Sequence, residues 1–170
     1  LVRHHSYLFK GTVEENLKMA KPDATKEEME AVLQKVNLLG FLQTQDGLQT
    51  QLLEKASNLS GGQCQRLVIA RALLRTDSAV YIFDEAASNI DVESEELIMN
   101  VIHELAKTKT VLLISHRLAN VVKSDKIYFL KDGEIKESGK HDELMSRNGA
   151  YRHLYESQMA LENYGKGGMA

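Results

Sequence analysis

The sequence predicts an α/β fold with a parallel sheet, flanking helices and a separate helical part. Two short, unbroken runs of β-branched, aliphatic and aromatic residues, 79–83 and 110–115, have the composition of strands covered on both faces. Between them, residues 92–106 carry apolar side chains at the spacing of one helix face. A strand, a helix and a second strand in this order form a βαβ unit, from which parallel sheets are built.

The helical part precedes this unit and shows two helix starts. Thr12 and Thr25 are each followed three residues later by Glu, which is the spacing of a capping box. The second helix carries an apolar stripe that begins at Met29, and it is predicted to end near Gly40. The polar stretch 42–58 contains four Gln without a clear period and is predicted to be a loop.

A third helix and a C-terminal hairpin complete the predicted elements. Residues 63–75 contain no Gly or Pro and predict a helix directly behind the glycine pair 61–62. An Asp-Gly turn between two strand-like runs predicts a β-hairpin over 126–137. A last helical region is predicted over 141–162, interrupted near Asn148 and Gly149.

The composition excludes several classes of protein. With 21 Lys and Arg against 24 Asp and Glu, the net charge of -3 provides no general attraction to nucleic acid or to an anionic membrane. The single Cys cannot form an internal disulfide, and no zinc-type Cys/His spacing occurs. The apolar runs fall far short of the roughly 20 residues that a membrane-spanning helix needs. Because the sequence opens on Leu1 without a secretory signal, we expect it to be an internal part of a longer protein.

A hydroxyl and two glycines stand at the start of the third helix. Unpaired N–H groups and the positive end of the helix dipole attract phosphate at such a position. Taken alone, the motif also fits a plain Ser cap followed by a glycine turn, which is the simpler alternative. The residues concerned are Leu59, Ser60, Gly61, Gly62 and Gln63.

Two acids end the first predicted strand, and a histidine ends the second. Ligands collect at the carboxyl ends of strands in open α/β sheets. Of the adjacent carboxylates Asp84 and Glu85, one can hold Mg²⁺ while the other orients a water for attack on phosphorus. The alternatives are solvated loop acids that cap the next helix, and a His116 with a structural role.

These segments together resemble the nucleotide-binding domain of ABC transporters. Residues 59–63 are identical to that family's signature motif, 80–85 match its Walker B motif, 88–91 match its D-loop, and 115–116 match its switch histidine. Of these, the signature, Walker B and switch-histidine segments occur in an order and at spacings that a parallel sheet can bring together.

Two further segments, 9–16 and 139–144, resemble the exporter-type branch, in which this domain is usually fused behind membrane helices. The resemblance implies a P-loop NTPase-like ABC ATPase fragment. Its expected parts are a partial nucleotide-binding domain in 1–163, with a helical subdomain and signature helix in 12–75 and the Walker B and H-loop α/β part in 76–163, and a flexible tail in 164–170.

The resemblance implies a role for each matching residue. Asp84 would organise Mg²⁺, and Glu85 would be the general base or water-positioning carboxylate. His116 would contact the γ-phosphate, and Asp91 would link the site to the opposite subunit. The cofactors implied are therefore ATP and Mg²⁺.

The signature motif implies partners. In the family, two domains sandwich two nucleotides, so Leu59 and the four residues that follow it would contact ATP bound mainly by a second nucleotide-binding domain. The pair would be a homo- or heterodimer attached to a transmembrane permease domain at the cytoplasmic face of the cell membrane. Nucleic acid is not an expected partner.

The sequence departs from the family pattern in three places. It contains no Gly-x-x-x-x-Gly-Lys-Ser/Thr phosphate loop, which we expect upstream together with the aromatic residue that stacks on adenine. His4 aligns with the Q-loop glutamine, as a nucleotide-contacting residue or as part of a solvated terminus. Ala87 and Asn89 replace the commoner Thr and Ala, which we regard as tolerated variation.

Three other side chains on the signature helix have plainer interpretations. Arg66 and Arg71 could approach phosphate, but a solvated helix face is the simpler prediction for both. Cys64 is predicted to be a small half-buried residue without a redox role.

The sequence therefore predicts the C-terminal part of the ATP-binding subunit of an ABC exporter, which couples ATP hydrolysis to export. Without a phosphate loop, the 170-residue chain alone is predicted to be inactive and to expose a sheet edge that lowers its solubility. One alternative is a non-catalytic chain that only contributes a signature face to a partner. Another is a soluble ABC-type ATPase of DNA repair or chromosome maintenance, against which the exporter-like segments and the lack of basic excess count.

Overall fold

The computed structural model describes residues 1–3 and 6–167, with side chains up to residue 161. The chain divides into two compact units, Leu1–Ile114 and Ser115–Ala170. The strands of the first unit are β1 (Val2–Arg3), β2 (Gly11–Thr12), β3 (Gln51–Leu52), β4 (Val80–Asp84) and β5 (Thr110–Ile114). Its helices are α1 (Val13–Lys18), α2 (Lys26–Lys35), α3 (Leu39–Gln43), α4 (Gly61–Leu73) and α5 (Val92–Ala106).

The predicted parallel sheet is present. Among the described residues its strand order is β1-β4-β5, and both pairs are parallel. The register places Asp84 between Arg3 on one side and Ile114 on the other. The acid that ends β4 therefore lies at the carboxyl edge of all three strands.

The prediction that β4 and β5 are covered on both faces is wrong for this chain. Tyr81 and Phe83 are buried, whereas Val80, Leu112 and Ile114 on the opposite face are 54%, 50% and 46% exposed. Burial alternates along each strand because the described helices cover one face of the sheet. In the part of the chain that the structure describes, β5 is also an edge strand, which agrees with the prediction of an exposed sheet edge.

The two capping boxes at the starts of α1 and α2 are confirmed. Thr12 Oγ1 accepts the N–H of Glu15 at 3.0 Å, and the Glu15 carboxylate accepts the N–H of Thr12 at 2.7 Å. Thr25 and Glu28 make the same reciprocal pair at 3.2 and 3.0 Å. Each pair satisfies two backbone N–H groups that the helix itself leaves unpaired.

The end of α2 differs from the prediction near Gly40, because the helix stops at Lys35. Asn37 adopts a left-handed conformation with φ of 51°, and the N–H of Leu38 donates to the carbonyl of Leu33 at 2.9 Å. This is a Schellman ending, for which Asn is one of the few suitable residues. Leu33 and Leu38 are both fully buried, as that motif favours.

The loop prediction for 42–58 is wrong in part. The segment contains the end of α3, the 3-10 turns Gly47–Gln49 and Glu54–Ala56, and strand β3, which pairs antiparallel with β2. Elements of two or three residues are too short to show a period, so the sequence pattern cannot reveal them.

Helix α4 lies at the centre of the first unit's core and contacts β1, α1, α2 and α5. Its buried face meets apolar side chains from both the helical part and the sheet. Fully buried examples are Met29, Leu33, Leu67, Ile69, Phe83, Ile98 and Ile102.

The second unit contains β6 (Ile127–Lys131), β7 (Glu134–Gly139), α6 (His141–Ser146) and α7 (Ala150–Gly167). The predicted hairpin is confirmed, with positive φ at both Asp132 and Gly133 as a tight hairpin turn requires. The interruption between the last two helices is confirmed at Asn148, where φ is 52°. Residues 168–170 lie outside the described residues.

Candidate functional site

The start of α4 carries the predicted anion-binding motif. Ser60 is the N-cap: its Oγ accepts the N–H of Gln63 at 3.2 Å, and Gln63 Oε1 accepts the N–H of Ser60 at 2.9 Å. The simpler reading of Ser60 as a cap is thus confirmed. It is compatible with anion binding, because the cap uses the N–H of Gln63 and the N–H groups of Gly61 and Gly62 have no acceptor within the helix. Leu59 is half-buried against the core and anchors the motif.

The second glycine of the motif is in close contact with the start of α5. A Cβ at Gly62 would lie 2.2 Å from Ser94 Oγ, 2.7 Å from Ser94 Cβ and 3.1 Å from Asp91 Oδ2. No side chain fits there, so the position requires glycine. The structure therefore brings two predicted site elements, the signature motif and Asp91, into direct contact.

Asp91 is the N-cap of α5. Its Oδ1 accepts the backbone N–H of Ser94 at 2.8 Å. Hydrogen bonds from the backbone and then the side chain of Ser94 lower the pKa of Asp91, and the positive charge of Arg66 acts in the same direction. The carboxylate is therefore ionised at neutral pH.

Asp84 and Glu85 lie at the carboxyl edge of the sheet. The Asp84 side chain is 41% exposed, and its Oδ2 is 4.0 Å from Arg3 Nε, an ion pair too open to contribute much stability. Glu85 is exposed and adopts φ of 51°. A non-glycine residue in this left-handed region costs about 1–2 kcal/mol, and such conformations cluster at functional sites.

His116 belongs to the second unit and is exposed. Its backbone carbonyl accepts a hydrogen bond from Gln158 Nε2 at 2.8 Å, and Gln158 Oε1 accepts the N–H of Leu118 at 2.9 Å. Gln158 of α7 thus holds the backbone on both sides of Arg117. His4 lies outside the described residues.

Arg66 and Arg71 are half-buried on α4, and each also bonds a distant backbone carbonyl, which the prediction of a solvated helix face did not include. Arg66 Nη1 donates to the carbonyl of Asn37 at 3.0 Å, and Arg71 Nη2 donates to the carbonyl of Tyr7 at 2.9 Å. Burial also lowers the pKa of the Arg71 guanidinium below its usual value. Their acceptors lie 29 and 64 positions away in the sequence, so no local pattern points to them.

Sequence reasoning also missed Ser94 and Gln158. Ser94 follows Asp91 by three residues, and this Asp-x-x-Ser spacing before an apolar helix is a signal that could have identified it. Gln158 gives no comparable signal, because its two backbone partners are 40 and 42 positions away.

Cys64 is half-buried, with Sγ 3.6 Å from the carbonyl oxygen of Ala56. Burial raises the pKa of its thiol. Its placement agrees with the prediction of a small half-buried residue.

A cleft of about 300 Å³ lies away from these residues, between α1, α2 and the 3-10 turn Gly47–Gln49. Its charged lining consists of the ion pairs Lys18–Glu14 and Lys26–Glu30, together with Asp46. None of the predicted site residues lines it.

The described residues contain no group of three or more His, Cys, Asp or Glu side chains that could hold a metal ion by themselves. Asp84 nonetheless fits one ligand position for Mg²⁺, which usually takes one or two carboxylates and completes its shell with phosphates and water. None of the described helices combines the length and the apolar character needed to cross a membrane.

Comparison with known proteins decides the family. Residues 1–88 match the family model described as ABC transporter. The chain belongs to the ABC transporter family. The fold agrees with that of a bacterial Atm1-family ABC exporter with ATP bound, at a TM-score of 0.83 and 30% identity over 92% of this chain and 28% of the other.

Two sequence relatives show the same relationship within the ABC transporter family. The chain is 53% identical, over 95% of its length, to an ABC transporter ATP-binding protein of Haemophilus influenzae, and it spans 29% of that protein. It is 43% identical, over 93% of its length, to an ATP-dependent lipid A-core flippase of Mannheimia succiniciproducens, of which it spans 27%. The chain therefore spans less than a third of the length of these relatives.

These findings confirm the predicted family and the predicted α/β fold of an ABC transporter ATPase. ATP binding is confirmed at the level of the family. The roles of the individual residues and the division into 12–75 and 76–163 stay predictions.

Proposed function

We propose that this chain is the C-terminal part of the ATP-binding subunit of an ABC exporter, in which ATP hydrolysis drives export of a substrate. One observation carries the proposal: the start of α4 packs through Gly62 against Ser94 and Asp91 at the start of α5, so that the signature motif and the end of the D-loop lie side by side. A surface made of two nucleotide-associated motifs suits the closing of a dimer over ATP.

The signature motif contributes binding groups rather than a complete pocket. Ser60 and Gly61 are exposed at the positive end of a 13-residue helix, where N–H groups favour a phosphate. In the ABC ATPase arrangement proposed here, the ATP that this motif contacts is held mainly by a second nucleotide-binding domain. That domain is an identical copy in a homodimer or a relative in a heterodimer.

The carboxylates at the sheet edge take part in hydrolysis of ATP. Asp84 would be one ligand of Mg²⁺, which when bound neutralises charge on the phosphates. Glu85 would accept a proton from the attacking water or orient it, and its exposed position allows that access. His116 would donate a hydrogen bond to the γ-phosphate.

A transmembrane permease domain would complete the exporter, at the cytoplasmic face of the cell membrane. The names of the matched relatives support this, because they describe a flippase and an exporter. His4, at the position of the Q-loop glutamine, would contact the nucleotide.

A second candidate is a non-catalytic chain that contributes only its signature surface to a partner. Such a chain would act without the phosphate-loop lysine and its backbone cradle, neither of which occurs among these 170 residues. Removal of both deletes most of the charge stabilisation that phosphoryl transfer requires.

Immunoblotting of membrane and soluble fractions, with an antibody against this segment, separates the two candidates. We expect a membrane-bound band several times larger than 19.1 kDa. A soluble band near 19.1 kDa would favour the non-catalytic chain.

The rate of ATP hydrolysis by the protein purified from the membrane fraction tests the catalytic role of Glu85. Glu85→Gln should lower kcat by about 100-fold or more, since a positioned proton acceptor contributes about 10²–10⁴-fold. Glu104→Gln, which removes an exposed carboxylate near the other end of α5, is the matched control and should leave kcat unchanged. Equal kcat for the two variants would contradict the assigned role.

A further inference from the structure

The contact between α4 and α5 leaves no room for adjustment at Gly62. A Cβ at this position would lie 2.2 Å from Ser94 Oγ and 2.7 Å from Ser94 Cβ. The hydroxyl can rotate away, but the Cβ is fixed by the backbone of α5. The separation between the two helix starts is therefore set by the size of residue 94.

Ser94 itself cannot move independently of Asp91. It is 5% exposed, and both its backbone N–H and its side chain hydrogen-bond to the Asp91 carboxylate. One side of Ser94 thus holds the D-loop acid, while the other side contacts the backbone of the signature motif. A shift of either element pushes on the other through this single small side chain.

Arg66 holds the start of α4 from a second direction. Its Nε donates to the carbonyl of Gly62 at 3.3 Å, and its Nη1 donates to the carbonyl of Asn37 at 3.0 Å, at the end of α2. Its charge also acts on the Asp91 carboxylate. The guanidinium therefore ties α2, the signature motif and the D-loop together within one unit.

We propose that Ser94 is a positioning residue that keeps the signature motif and Asp91 of one chain at a fixed separation, so that both reach the partner's ATP together. This rests on the proposed function, because it assigns a mechanical role within that site. Ser94 acts through Gly62 and Asp91 and has no contact with ATP in this scheme. Displacement of the motif should lower the rate of hydrolysis, since a misplacement of about 1 Å can cost about 10²-fold in rate.

The test is a double-mutant cycle in the full-length protein that contains this chain. Gly62→Ala inserts the clashing Cβ and should lower kcat by about 10- to 100-fold. Ser94→Gly removes both atoms on the other side of the contact, so the two helix starts can approach each other, and it should lower kcat by about 10-fold. The double variant Gly62→Ala, Ser94→Gly, in which the new methyl group refills the space that Ser94 leaves, should recover to within about 3-fold of the wild type, because residues in contact show non-additive effects.

Two controls isolate the contact. Ser94→Ala removes the hydroxyl but keeps the Cβ, so it should not rescue Gly62→Ala. Gly40→Ala adds a Cβ where no atom lies within 4 Å, and it should leave kcat unchanged. Binding of a fluorescent ATP analogue and the thermal unfolding midpoint are measured for every variant, since loss of folding would change both, whereas the proposal predicts a change in kcat with binding retained.

The outcomes are distinguishable. A wild-type protein without ATP turnover contradicts the proposed function. An active wild type whose double variant stays as slow as Gly62→Ala overturns the role of Ser94, because the glycine would then be needed only for its own contact with ATP. If Gly62→Ala does not fold, Ser94→Thr replaces it by adding one methyl group at the same contact. Unchanged kcat for folded Ser94→Thr also overturns the inference.

Discussion

Glu85 donates its backbone N–H to the carbonyl oxygen of Ile114 at 3.0 Å, which extends the pairing of β4 with β5 by one bond beyond the end of β4. Glu85 adopts φ of 51° while it makes this bond, and its carbonyl accepts the hydroxyl of Ser88 at 2.8 Å. The neighbouring strand therefore helps to hold the acid in a strained backbone conformation at the sheet edge.

Replacement of Glu85 by Gly should abolish ATP hydrolysis without lowering the stability of the fold. Glycine relieves a left-handed conformation that costs about 1–2 kcal/mol but adds backbone entropy to the unfolded chain, which offsets up to about 1 kcal/mol of the gain. We expect the free energy of unfolding in urea to stay equal or rise by about 1 kcal/mol, while ATP turnover is lost. A clear loss of stability would show that the left-handed conformation is not a strain on the fold.

The capping box at Thr25 should account for measurable stability of the helical part. Thr25→Ala removes the acceptor for the N–H of Glu28 and should lower the free energy of unfolding by about 1 kcal/mol. Thr108→Ala, at an exposed position after α5, is the matched control and should change it by less than about 0.5 kcal/mol. Equal effects of the two substitutions in urea unfolding would contradict the assignment.

The pKa of Asp91 gives stability a defined pH dependence. Because hydrogen bonds lower this pKa in the folded state, the contribution is fully present above the unfolded value of about 3.9 and is lost as the pH falls through the folded pKa. Urea midpoints should therefore fall more steeply below about pH 4 in the wild type than in Asp91→Asn.

Asp91→Ser is the matched control, since Ser also caps helices but does not titrate in this range. Because Asn and Ser both keep a capping side chain, both variants should show the same shallower pH dependence. A wild-type profile parallel to those of both variants would rule out the coupling of Asp91 to folding.

The uncovered sheet face should limit the solubility of the isolated 170-residue chain. Leu112 and Ile114 are about half exposed next to each other on the edge strand β5, and exposed apolar edges promote association. The double substitution Leu112→Thr, Ile114→Thr should raise the soluble fraction after centrifugation. Met19→Thr, at a similarly exposed apolar residue outside the sheet, is the control and should have little effect.

The sequence predicts the residues of the site only where they belong to a recognisable motif. Asp84, Glu85 and His116 follow apolar runs, and Gly62 lies in a motif identical to the family signature, so their positions along the chain could be named. The reason why residue 62 must be glycine could not be predicted in this way, because the atoms that exclude a Cβ belong to Ser94, 32 positions later.

The errors in the fold have a similar cause. The apolar runs correctly predicted β4 and β5 as strands, yet their burial depends on what covers each face, and Val80 is exposed where the pattern indicated a covered strand. The end of α2 was misplaced because the apolar stripe continues past Lys35, while Asn37 turns the chain to bury Leu38.

The sequence by itself determined the features whose partners lie within a few residues: the capping boxes at Thr12 and Thr25 and the hairpin turn at Asp132. Such interactions need only local backbone geometry, so residue type and spacing specify them. Only the tertiary structure decided that Arg66 bonds Asn37 and that Ser94 packs on Gly62. Those contacts form when burial of the core brings distant backbone carbonyls and helix ends together, and no periodicity in the chain encodes which ends will meet.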